Sequence, residues 1–107
     1  MRVVLAAKDT ERADWLASVL SSAGFSVALL SDPTPTSPEL RGADLLIVDK
    51  EGAESIGSAG PARRLLIAPR DGTVSLGAVE AGFRDILAIP SPPEEIVARV
   101  RHAVNAP

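Results

Sequence analysis

The hydrophobic period of this chain switches back and forth along its length, and that switching leaves few folds open. Val3-Val4-Leu5-Ala6 is a continuous apolar run, the pattern of a short strand buried on both faces. Ala13, Leu16, Ala17 and Leu20 then recur at i, i+3, i+4 and i+7, which is one face of a helix. Asp9 stands where that helix needs an N-cap, and Gly24 where the chain leaves it through a left-handed residue. Phe25 to Leu30 reads as a second strand and Asp44 to Asp49 as the clearest buried strand of all. Leu65 to Ala68 is a fourth, and Ile86 to Ile89 a fifth. Leu76, Val79 and Phe83 form a helical stripe between the last two. Ser91-Pro92-Pro93-Glu94 has capping-box spacing with proline at the first helical position, and Ile96, Val97, Val100 and Val104 continue a final helix.

Two segments break the rhythm. Ser31 to Leu40 carries Pro33, Pro35 and Pro38, so any helix there is short and starts late. Lys50 to Arg64 contains Gly52, Gly57 and Gly60 and one large aliphatic residue, Ile56. A stable packed helix is not expected there, because little apolar burial offsets its ordering entropy. Short apolar strands alternating with helices imply an α/β domain, a parallel sheet with helices on both faces and right-handed crossovers. The 107 residues are one domain's worth, and with aromatics at only 3% the core has to be aliphatic.

Several functions are excluded or disfavoured. There is no cysteine for disulfides or thiolate metal sites, and the one histidine, His102, is too little for an ordinary zinc site. His102 reads as a solvated side chain. A net charge of −3, with Arg63, Arg64, Arg99 and Arg101 scattered, argues against a nucleic-acid surface. No apolar run approaches the roughly 20 residues that span a bilayer, and the chain start lacks a signal-peptide layout, so no membrane association and a cytoplasmic location are expected. Gly72, Thr73 and Gly77 do not make a phosphate loop, and no Ser/His/Asp set is available. In doubly wound sheets a site forms outside the strand C-termini. That directs attention to Ala7-Lys8-Asp9, Asp49-Lys50, Ala68-Pro69 and Ile89-Pro90.

These strand ends carry a family resemblance. Arg2 through Asp9 resembles the first strand and acidic turn of response-regulator receiver domains of the chemotaxis-regulator type. Asp44 through Asp49 is similar to the strand ending on their phosphorylated aspartate. Glu80 through Leu87 resembles the stretch entering their fifth strand, and Pro90 with Pro93 through Val100 their last loop and helix. The resemblance spans nearly the whole chain, residues 1–107 as a single receiver-like domain. It implies a doubly wound five-stranded parallel sheet, flavodoxin-like in its order 2-1-3-4-5, here with the third helix shortened or missing.

The resemblance also implies a chemistry, and the chain departs from it. Family members accept a phosphoryl group on the aspartate with help from a magnesium ion, an acidic pair after the first strand, a hydroxyl after the fourth and a lysine after the fifth. The acidic pair falls on Ala7 and Lys8, with Asp9 one place further on. The hydroxyl position is Ala68, the lysine position Ile89, and the switching aromatic is replaced by Ile86. The expected reading is a pseudo-receiver, no enzyme and no cofactor: Asp49 a vestigial phosphoacceptor ion-paired with Lys8, the magnesium site lost, and Pro90 in a cis peptide with Ile89. It would act on a protein partner or a fused output domain, or as a homodimer, through the face of the fourth helix, fifth strand and last helix. Arg84, Asp85, Ile86, Arg99 and Arg101 are the candidates there. Two alternatives stay open: a phosphoacceptor working through Asp49 with a metal site rebuilt around Asp9, and a small-molecule sensor with a pocket bordered by Trp15, Ile56 and the third strand's end. Trp15 and Val19 themselves are expected to pack against the vestigial third-helix region.

Overall fold

The computed structural model describes residues 1–30, 32–57, 59–61, 63–69, 85–89 and 91–105. Its elements are β1 (Arg2–Ala6), α1 (Thr10–Ser22), β2 (Ser26–Leu30), β3 (Leu45–Val48), α2 (Lys50–Ile56), β4 (Arg64–Pro69), β5 (Asp85–Ile89) and α3 (Pro93–Asn105). The strands form one parallel sheet in the order β2-β1-β3-β4-β5, the order expected. Registers such as Leu5↔Leu29 and Leu5↔Ile47 place β1 between β2 and β3.

The continuous apolar runs are explained by two cores, one on each face of the sheet. Val3, Leu5, Leu45, Ile47, Leu65, Ile67 and Leu87 point to the face covered by α1 and α3, where Leu16, Leu20, Ile96 and Val100 meet them. Val4, Ala6, Leu46 and Val48 point the other way, against Leu40 and Ile56. Alternate side chains of one strand thus serve opposite cores, and the runs Val3–Ala6 and Leu45–Val48 turn no face to water. The stripe through Leu76, Val79 and Phe83 lies outside the described residues.

The proline-rich segment keeps only a 3-10 turn, Pro38–Leu40, whose Leu40 plugs the second core. The third helix is shortened, as expected, although a stable helix stands within Lys50 to Arg64 where none was expected. A seven-residue helix does form there, because it is anchored at both ends: Asp49 caps its N-terminus and Ile56 is buried at its C-terminus. Capping and one buried side chain replace the long apolar stripe that the sequence lacks.

Asp9 is the N-cap of α1, as its position predicts, accepting from the Arg12 amide at 3.2 Å. Gly24 follows with φ +95°, a conformation that favours glycine. Asp9→Ala should therefore lower stability by about 1 kcal/mol. Urea denaturation would read this as a lower midpoint at unchanged slope.

Candidate functional site

The register Ala6↔Val48 sets the chain leaving β1 beside the chain leaving β3. Two backbone amides converge there on one carboxylate. Asp49 Oδ2 accepts the Lys8 N–H at 2.9 Å, and Oδ1 accepts the Gly52 N–H at 2.6 Å. The first bond ties the β1–α1 loop to β3, and the second starts α2. Asp49 is thus a long-range clamp and an N-cap at once. Charge-assisted bonds of this kind are about twice as strong as neutral ones.

Gly52 makes the arrangement possible. A Cβ at this residue would sit 2.2 Å from the Ala6 carbonyl oxygen and 3.0 Å from Asp49 Oδ1. The first turn of α2 therefore lies directly on the end of β1, beside Asp49.

The expected ion pair between Lys8 and Asp49 is not formed; no salt bridge joins them. The Lys8 amide holds the carboxylate, while its side chain is exposed. The physical reason is ordinary: an exposed pair is worth only about 0–1 kcal/mol, too little to pull an ammonium from water. Asp9 is engaged as well, its carboxylate lying 3.9 Å from Arg12 Nε besides capping α1. Ala7 is buried.

Around Asp49 lies an open depression of about 410 Å³, lined by Lys8, Asp9, Arg12, Lys50, Glu51 and Ile67 as well. Three cations and three carboxylates share it, so it has no strong bias of sign. Among the described residues no three carboxylate or imidazole groups stand close enough to share a metal ion. Of the expected pocket, the structure brings Lys8, Asp9 and Asp49 together. Ala68 and Ile89 sit at the ends of β4 and β5, and Ile89 packs against the first core. Neither lines the depression.

Other expected positions separate. Arg84 and Pro90, with its expected cis peptide, lie outside the described residues. Asp85 opens β5 opposite Leu65, and half-buried Ile86 follows opposite Leu66. On α3, Arg99 pairs with Glu95 at 3.9 Å. Arg101 turns to the C-terminal end of α1, reaching the Ala23 carbonyl at 3.5 Å. His102 is exposed in the last turn. Trp15 and Val19 face α3 rather than the third-helix region, beside Pro93 and Val97. Ile56 is buried on the opposite face of the sheet, so the expected pocket between it and Trp15 does not form.

One residue central to the site's support was missed. Arg64 is buried at the start of β4, where Nε donates to the Pro61 carbonyl at 3.1 Å and Nη1 to the Gly57 carbonyl at 2.5 Å. Nη2 donates to the Ala59 carbonyl. Desolvation lowers its pKa from the usual arginine value. The guanidinium gathers the loop that follows α2. Its neighbour Arg63 donates to the Val104 carbonyl at 2.6 Å, near the end of α3. Nothing local in the sequence marks either role.

No protein-family model matches the sequence, and no curated protein matches it. Solved structures do match the fold. A candidate pilus assembly protein from Burkholderia thailandensis is 22% identical at a TM-score of 0.76, covering 96% of this chain and 97% of its own. A response regulator receiver protein from Burkholderia phymatum is 19% identical at 0.77, covering 96% and 94%. NtrX from Brucella abortus, solved with ADP, is 15% identical at 0.80. It covers 96% of this chain, which spans only 26% of NtrX. The five-stranded parallel sheet in the order β2-β1-β3-β4-β5 and these similarities over nearly the whole chain agree: the chain has the fold of the response-regulator receiver domains.

Proposed function

We propose that this chain is a pseudo-receiver, a signalling domain that works by protein contact without phosphotransfer, cofactor or catalysis of its own. The observation that carries this reading is the state of Asp49, whose two oxygens each already accept a backbone amide. Phosphoryl transfer needs one of those oxygens as nucleophile and a cation to neutralise the incoming charge. Attack through Oδ1 would uncap α2, and attack through Oδ2 would release the β1–α1 loop. The residues present also do not fit magnesium: Ala7 has no donor, Lys8 brings a positive charge, and Asp9 is held at the start of α1. Ala68 and Ile89 offer a phosphoryl group neither hydroxyl nor ammonium.

A partner, or an output domain in the same polypeptide, would read the domain through its surface; NtrX is a longer protein carrying this fold as one part. Of the surface expected from sequence, Asp85, Ile86 and Arg99 stay in this proposal, and Arg84 lies outside the described residues. Arg101 leaves it for the α1 side.

The test is incubation with acetyl phosphate and magnesium, followed by intact mass and a melting curve. No phosphorylated species and no magnesium-dependent shift are expected. A phosphoryl adduct mapped to Asp49 by peptide mass would establish the phosphoacceptor reading instead.

A further inference from the structure

A groove of about 390 Å³ runs between α1 and α3, with Trp15, Val19, Pro93 and Val97 along it. The only tryptophan of the chain is left 41% exposed there. A large apolar side chain left in water beside two more is a surface that association would cover.

The exposed row of α3 bordering this groove has a pattern that specifies its own occupant. Glu94, Val97, Ala98 and Arg101 follow one another at i, i+3, i+4 and i+7, so they share one stripe of the helix. Read in the opposite direction the stripe matches itself. When two copies of α3 cross antiparallel, Glu94 stands opposite Arg101 of the other copy, which gives up its long 3.5 Å contact with the Ala23 carbonyl for this pair, and Val97 stands opposite Ala98. The two-fold axis passes between Val97 and Ala98, where the small Ala98 side chain allows close approach. Glu94 and Arg101 are roughly 10 Å apart along the axis, so both cross-pairs form in one register. Each helix's acidic first turn also meets the other's basic end, the alignment that helix dipoles favour. By contrast α1 has no basic residue in its last turn, so it does not repeat this pattern.

We infer that a second copy of this chain occupies the groove, in a two-fold homodimer built on antiparallel α3 helices, with Trp15 and Val19 of each α1 closing over its sides. Such an interface is isologous and closes on itself. It differs from the β5-side surface expected from sequence and leaves that side open for another partner. It goes beyond the pseudo-receiver reading and needs no modification of Asp49.

Sedimentation equilibrium of the whole chain, from low micromolar to near-millimolar concentration, tests the proposal. A monomer–dimer equilibrium is expected, with Trp15 emission moving to shorter wavelength as dimer forms. Ala98→Glu sets like charges at the axis, and Glu94→Arg sets Arg opposite Arg. Each should weaken association about tenfold or more. The double variant Glu94→Arg with Arg101→Glu restores opposite charges and should recover the dimer, while melting curves confirm that every variant is folded. A monomer at all concentrations would overturn the proposal, even if a foreign helical peptide then bound the groove. So would a dimer indifferent to Ala98→Glu and Glu94→Arg. Acetyl phosphate treatment should leave the equilibrium unchanged, which keeps this result separate from the fate of Asp49.

Discussion

Arg64→Leu is expected to lower the stability of the fold by about 3 kcal/mol. Leucine matches the apolar part of the site but leaves the Gly57, Ala59 and Pro61 carbonyls without their donor. Each buried acceptor left unsatisfied costs about 1–3 kcal/mol, and partial hydration of the freed loop keeps the sum below three full penalties. Arg64→Lys should recover little, because one ammonium lacks the planar fork that reaches three carbonyls. Burial weakens Arg64 as a base, yet a guanidinium stays protonated at neutral pH, so the interaction persists across the physiological range. Equilibrium denaturation in urea measures the change. A loss below about 1 kcal/mol for Arg64→Leu would show that the loop holds itself without the guanidinium.

Gly52→Ala should also be strongly destabilising, by about 2 kcal/mol. Here the sign alone is informative. At an unencumbered helical position, alanine in place of glycine stabilises by roughly 0.5–1 kcal/mol. At Gly52 the added methyl would meet the Ala6 carbonyl oxygen at 2.2 Å, a backbone atom that cannot swing aside, so α2 has to lift from β1. Lifting it stretches the Gly52 amide away from Asp49 and loosens the carboxylate's hold on Lys8. Faster hydrogen exchange at the Lys8 and Gly52 amides should accompany the drop in stability. A stabilised Gly52→Ala protein would mean that α2 does not rest on β1.

Much of this architecture was legible in the sequence because it depends on local pattern. Val3 to Ala6 and Leu45 to Val48 are apolar at every position, which only a strand buried on both faces requires. Asp9 was legible as a cap from its place before the α1 stripe. Asp49 was harder, since its neighbours include a glycine that argues against a helix. The overlooked signal was Asp49 with Glu51 and an amide three residues on, the arrangement of an N-cap followed by an acidic first turn. Arg64 was not legible at all. Its partners lie three to seven residues away, but only a loop folded back on itself aims their carbonyls at one guanidinium. Lys8 misled for a related reason: the sequence shows its charge, whereas the fold uses its amide.

The double grip on Asp49 changes what genetics at this codon would mean. Here asparagine turns one acceptor oxygen into a donor facing another N–H, and glutamate carries its carboxylate a methylene further than the distance set by Lys8 and Gly52. Either allele would behave as a lesion of folding, lowering the amount of protein in the cell. A null phenotype from both, accompanied by falling abundance and corrected at reduced growth temperature, is what a structural aspartate produces.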